Sequence, residues 1–185
     1  MERTSGMSQR HLRPSQQKHE LSRYLRQVEQ TLYLWVAQLK GRIDPLTCRL
    51  HLPTASIYLP SRAVFEKIAP PTRPCGLVFA DDSFLVFHEL VTFGYRREDD
   101  DEPTVYRLRY GYHYQRPNDC YYFRYDYHPD VGDPNTHPPH HLHAAGWKPL
   151  DQEHFAGARH PVSETRLADV LGLIVNSFPS VKPRH

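Results

Sequence analysis

Apolar residues first fall into a helical rhythm at Leu21, Leu25, Val28, Leu32, Trp35 or Val36, and Leu39. Spacings of three and four residues put these side chains on one stripe of a helix, predicted from about Lys18 and stopped by Gly41. The stripe serves either the core or a partner-binding face. Ahead of it, Met1 to Gln17 is polar and basic without an apolar pattern, and is expected to be a flexible tail. From Ile43 to Pro74 six prolines interrupt the chain. They leave room for short strands at Cys48–Leu52 and Ser56–Leu59 and for a helical turn within Ser61–Ile68 capped by Ser61.

The rhythm then changes to that of strands. Leu77–Ala80 and Ser83–Phe93 are expected to be strands separated by a turn at Asp81-Asp82. Val105–Tyr114 and Cys120–His128 alternate, and the polar segment from Gln115 to Asp119 joins them. Near the end, Ser163 as N-cap and Glu164 in the first turn predict a helix from Ser163 to Phe178. Its core side is Leu167, Val170, Leu171, Ile174 and Phe178. The fold class that follows is α+β: a curved antiparallel β-sheet of about four to six strands, packed against an N-terminal and a C-terminal α-helix. The predicted organisation is a tail over residues 1–17, a helix and Pro-rich segment over 18–82, and an α+β core over 83–185 that forms one compact domain with 18–82.

Side chains alternate across a strand, so each strand of the hairpin has two distinct faces. Tyr106, Leu108, Tyr110, Tyr112 and Tyr114 share one face of the first strand, and Tyr121, Phe123, Tyr125 and Tyr127 one face of the second. Pairing must bring the aromatic faces together, because a one-residue slip would mix them. Arg107, Arg109, His113, Arg124, Asp126 and His128 then share the opposite face, with Asp126 expected across from Arg107 or Arg109. Such a surface suits phosphate recognition or acid–base chemistry. It is equally what a solvated outer face with cross-strand ion pairs looks like.

Composition narrows the classes. In 185 residues a net charge of only +2 excludes a uniformly polybasic surface, although six Lys/Arg against two acids fall in the first 26 residues. Residues 98–102 form an unbroken acidic run. No apolar run is long enough to span a bilayer, and no signal-peptide core follows Met1. Cys48, Cys75 and Cys120 are odd in number and far apart, which argues for a reducing, cytoplasmic setting.

Candidate chemistry concentrates after Asp126. His137, His140, His141 and His143 put four histidines in seven residues. Histidine exchanges protons near neutral pH and is also the commonest metal ligand. In an extended segment His141 and His143 point the same way and His140 the other. The segment is compatible with a metal but calls for no cofactor, and no residue is assigned to a metal.

A Tyr- and Arg-rich strand, then Phe123-Arg124-Tyr125-Asp126, His128-Pro129 and Pro139-His140-His141-Leu142-His143, resembles the TumE family of toxin–antitoxin proteins. The resemblance covers about residues 83–178 and departs at Tyr127, where many members carry asparagine. It implies the toxin half of a bacterial toxin–antitoxin pair with a cognate antitoxin as partner. RNA is a possible second partner, and no membrane is expected. As a ribonuclease the chain would use His128, His140, His141 and His143 for proton transfer, with Asp126 orienting them. Arg107, Arg109, Arg124 and His113 would bind phosphate. Two alternatives stand beside this reading: a non-catalytic nucleic-acid- or protein-binding module, and a His-ligated metal-dependent hydrolase. Oligomeric state is not legible.

Overall fold

The structure is a computed structural model and describes residues 12–39, 41–65, 73–95, 100–119, 121–130, 138–145 and 159–178. Helix α1 (Pro14–Leu39) precedes a run of strands β1 (Arg42–Ile43), β2 (Thr47–His51) and β3 (Thr54–Leu59). A single helical turn, α2 (Arg62–Phe65), follows, then β4 (Leu77–Val78), β5 (Phe84–Gly94), β6 (Thr104–Arg116), β7 (Tyr121–Tyr127), β8 (His140–Ala145) and β9 (Arg159–Pro161), and finally α3 (Leu167–Ser177). The fold is α+β: a mostly open antiparallel sheet with an N-terminal and a C-terminal helix.

The sheet is larger than expected, with nine strands among the described residues in the order β1-β4-β5-β6-β7-β8-β9, and β2 and β3 branching from β5. The Pro-rich segment accounts for the difference. Its short strands join the same sheet, β3 pairing with β5 from Thr54↔Thr92 to Leu59↔Phe87. The segment before residue 83 thus shares one sheet with the strands after it.

One face of the sheet carries the core. Leu21, Val28 and Leu32 from α1 and Val170, Leu171 and Ile174 from α3 pack against Phe87, Tyr110, Tyr112, Tyr114 and Phe123. Each such side chain contributes about 1.5–3 kcal/mol on burial, and the aromatic faces of β6 and β7 do lie together. The helix begins earlier than expected. Pro14 takes its first position, where a missing N–H costs nothing, and Leu12 is buried in the core. The Gln17 side-chain amide donates to the Leu12 carbonyl at 2.9 Å. A single apolar residue leaves no periodic trace, so Leu12 was invisible as an anchor; Met1–His11 lie outside the described residues.

Helix α3 starts later than predicted, and Ser163 is not its cap. Residues 163–166 are captured by β6 instead: the Thr165 N–H donates to the Tyr110 hydroxyl at 2.9 Å, and Arg107 Nη1 donates to the Thr165 carbonyl at 2.7 Å. Arg166 stands at the N-cap, and its N–H donates to the Asp169 carboxylate at 2.9 Å.

Candidate active site

The face away from the helices is where the ionisable side chains collect, and strand register determines which of them. Tyr58 pairs with His88, His88 with Gly111, Gly111 with Asp126, and Asp126 with His141. One row across β3, β5, β6, β7 and β8 thus presents Tyr58, His88, Gly111, Asp126 and His141. The neighbouring row presents Val86, His113, Arg124 and His143.

Asp126 is the centre. Its carboxylate is buried, and Arg124 Nε donates to Oδ1 at 2.8 Å. His128 Nε2 lies 3.8 Å from Oδ1, while His141 Nε2 and His143 Nε2 lie 3.8 and 3.6 Å from Oδ2. The expected pairing with an arginine of the adjacent strand is not found. Asp126 sits opposite Gly111, two residues from Arg109, and its arginine comes from its own strand. Arg109 Nη2 instead donates to Asp130 at 3.0 Å at the surface.

Gly111 makes this convergence possible. A Cβ there would stand 2.6 Å from His88 Cε1 and 2.8 Å from Asp126 Oδ1. The absent side chain is the space that the His88 ring and the carboxylate occupy.

The electrostatics follow from burial. Burial would raise the Asp126 carboxyl, but Arg124, His128 and His143 outweigh it and hold it below its usual range. Burial pulls His88 down to about 4, with Arg124 adding to the effect. Burial likewise takes His113 to about 4, against the pull of its hydrogen bond with Gln115. His128 is lowered by burial, with Asp126 opposing. His88, His113 and His128 are therefore held neutral near pH 7, beside the anionic Asp126 carboxylate and the Arg124 guanidinium.

Two residues assigned to the site, Arg107 and His140, lie on the other face. Between Leu90 and Val91 the β5–β6 register shifts: Leu90 pairs with Arg109 but Val91 with Arg107. The extra residue, Leu108, is a β-bulge that reverses the alternation beyond it. Arg107 consequently faces the helices. It donates to the Tyr112 hydroxyl at 3.0 Å, pairs with Glu164, and lies 4.8 Å above the centre of the Tyr110 ring. His140 is the second. Its ring stacks on Tyr127 with centroids 4.2 Å apart, and its Nδ1 lies 3.0 Å from the Tyr110 hydroxyl. Burial lowers its pKa. His128, His141, His143, Asp126, Arg109, Arg124 and His113 share the face away from the helices; Arg107 and His140 do not. His137 lies outside the described residues.

Sequence reasoning missed His88. Its nearest neighbours on the same face of the strand are Val86 and Leu90, so His88 was a lone polar signal there. A glycine in mid-strand, which marks close approach of another group, was the companion signal.

A family model described as "Toxin TumE" matches residues 52–177. The chain belongs to the TumE toxin family. The match takes in β3 to β8 and α3 through Ser177, and it begins upstream of residue 83, where the resemblance read from the motifs began, so part of the Pro-rich segment belongs to the family region as well. No curated protein and no solved structure matches the chain. Membership of TumE implies an antitoxin as partner. Among the described residues no helix is long and apolar enough to cross a membrane.

Proposed function

We propose that this TumE toxin acts on RNA, cleaving the backbone by proton transfer at the Asp126-centred face. The observation that carries the reading is the convergence of His128, His141, His143 and Arg124 on one buried carboxylate. Backbone cleavage needs a proton acceptor at the 2′-hydroxyl, cations for the charge that develops on phosphorus-bound oxygens, and stabilisation of the leaving 5′ oxygen.

His128 suits the first role. Its lowered pKa keeps it neutral near pH 7, and it is part-exposed at the end of β7. It takes the 2′-hydroxyl proton as the 2′ oxygen bonds to phosphorus. The bond from phosphorus to the 5′ oxygen breaks, leaving a 2′,3′-cyclic phosphate, and the 5′ oxygen takes a proton from solvent water on the His141–His143 side. Arg124 retains N–H groups beyond the one given to Asp126 and, with Arg109, meets the phosphate charge. Asp126 orients the imidazoles and does not attack. Tyr58 and Tyr106 lie on the same face, where bases can stack on them.

The test is expression of His128→Ala, Arg124→Ala and wild-type protein in bacteria without antitoxin, with total RNA examined for new 2′,3′-cyclic phosphate ends. Wild-type chain arrests growth and creates such ends. Each variant loses activity by about 100-fold or more, the usual scale for a proton-transfer group. A folded His128→Ala protein with full activity, or arrest with intact RNA, refutes the reading.

A further inference from the structure

The three nitrogen–oxygen distances around Asp126 are too long for hydrogen bonds. The nitrogens of His141 and His143 stand 3.8 and 3.6 Å from Oδ2, whereas a charge-assisted N–H···O bond measures about 2.7–2.9 Å. Two ligands on a tetrahedral metal, with bonds of about 2.1 Å, are about 3.4 Å apart. The donor atoms of Asp126, His141 and His143 all lie within 4.8 Å of one another, and all three residues are buried.

Tautomer chemistry sharpens the point. His141 Nδ1 lies 2.7 Å from the Pro138 carbonyl oxygen, which can only accept. Nδ1 therefore carries the proton, and Nε2 of the neutral ring presents its lone pair toward an anionic oxygen. A cation between them, a second proton on the ring or a metal ion, removes the repulsion. A backbone carbonyl fixing the far nitrogen of an imidazole is the usual support of a metal-ligating histidine. Arg124 does the same for the carboxylate: it binds Oδ1 and leaves Oδ2 turned to the histidines.

We propose that Asp126, His141 and His143 bind one divalent transition-metal ion of the zinc class. Two imidazole nitrogens and one carboxylate oxygen select such an ion over magnesium or calcium, which take oxygen ligands. Three protein ligands leave a fourth position for water or a phosphate oxygen, as in catalytic zinc sites. His128 stands at the rim: its Nε2 is buried, has no hydrogen-bond partner among the described residues, and lies 3.8 Å from Oδ1. Ion binding rests on ligand geometry alone. Its catalytic use rests on the RNA reading above, where the ion would stabilise the leaving 5′ oxygen on the side where His141 and His143 lie.

The experiment takes the full-length chain, stripped with a chelator and titrated with Zn2+ by calorimetry and with Co2+ by visible absorption. The expected result is one saturable ion per chain and a tetrahedral Co2+ spectrum. His143→Gln and His141→Ala each weaken Zn2+ binding at least tenfold, while exposed His160→Ala does not. Nitrogen-detected NMR of the wild-type histidines gives a readout independent of variant folding: Zn2+ shifts the Nε2 signals of two rings. Absence of a saturable site, or shifts confined to other histidines, overturns the proposal. RNA cleavage that persists in chelator by a chain that binds no ion overturns the metal site and leaves the RNA reading standing. One ion bound at His141 and His143 without any RNA cleavage supports the metal site and removes the RNA reading.

Discussion

Gly111 and Asp126 are direct cross-strand partners, and the carboxylate of one leans into the space where the other has no side chain. Adding a methyl group at Gly111 forces His88, Asp126 or the strand itself to move. We expect Gly111→Ala to destabilise the protein by about 1–3 kcal/mol, the usual cost of overpacking, and to abolish growth arrest even at temperatures where the chain stays folded. Denaturant unfolding paired with an expression assay checks both. An active, fully stable Gly111→Ala protein contradicts this account of the site.

Arg107 and Arg109 are two residues apart in sequence but differ in what they hold. Arg107 is buried against α3 and ties β6 to Thr165 and Glu164. Arg109 is half-exposed, with only Asp130 as a salt-bridge partner among the described residues. Arg107→Ala should lower stability by about 1–3 kcal/mol through unmet buried partners. Arg109→Ala should change stability by less than about 0.5 kcal/mol, as surface sites do, and weaken RNA binding with a shallower salt dependence. Fluorescence anisotropy at several salt concentrations, beside thermal melts, separates the two.

Glu89 on the helix face gives a third expectation. Its buried carboxylate accepts from the Tyr24 hydroxyl at 2.7 Å and from the Tyr112 hydroxyl. Removing it strands two buried hydroxyls, and Glu89→Ala should cost about 2–4 kcal/mol. Because the side chain points away from Asp126, activity per folded molecule should be unchanged. Loss of activity without loss of stability would place Glu89 in the chemistry after all.

His113 predicts a pH dependence. Folding lowers its pKa from about 6.5 in the unfolded chain to about 4. A lowered histidine contributes no penalty above the unfolded value. As pH falls below about 6.5 the unfolded chain takes up a proton that the folded chain refuses, so stability is lost progressively down to about pH 4, by at most about 1.4 kcal/mol per pH unit. Urea melts at pH 7 and pH 5 should show this loss in the wild type and a smaller loss in His113→Gln. Equal losses in both would assign the pH dependence to other groups.

Much of this was legible in the sequence. The aromatic alternation of Tyr110, Tyr112, Tyr114 and Phe123 fixed which face is core, because no other face could bury them. The opposed directions of His140 against His141 and His143 followed from extended backbone alone. What escaped was non-periodic. Leu108 bulges without any local signature, so the alternation that placed Arg107 beside Arg109 failed at one residue. Register was misjudged because the tightest turns consistent with parity set Asp126 against Arg107 or Arg109. β6 and β7 instead pair from Arg116↔Tyr121 across a connection containing the helical turn Pro117–Asp119, which sets Asp126 against Gly111. His88 lies 53 residues before His141, and only the assembled sheet makes them neighbours.

That assembly has a consequence for synthesis. β5, β6, β7 and β8 are laid side by side in the order in which they are translated, and each adds a member to the site: His88, then Gly111, then Asp126, then His141 and His143. A nascent chain released before β8 therefore holds a carboxylate and an arginine but lacks the histidines that complete the centre. On the proposed mechanism such a fragment leaves RNA uncut, and activity waits until the eighth strand has been made and seated.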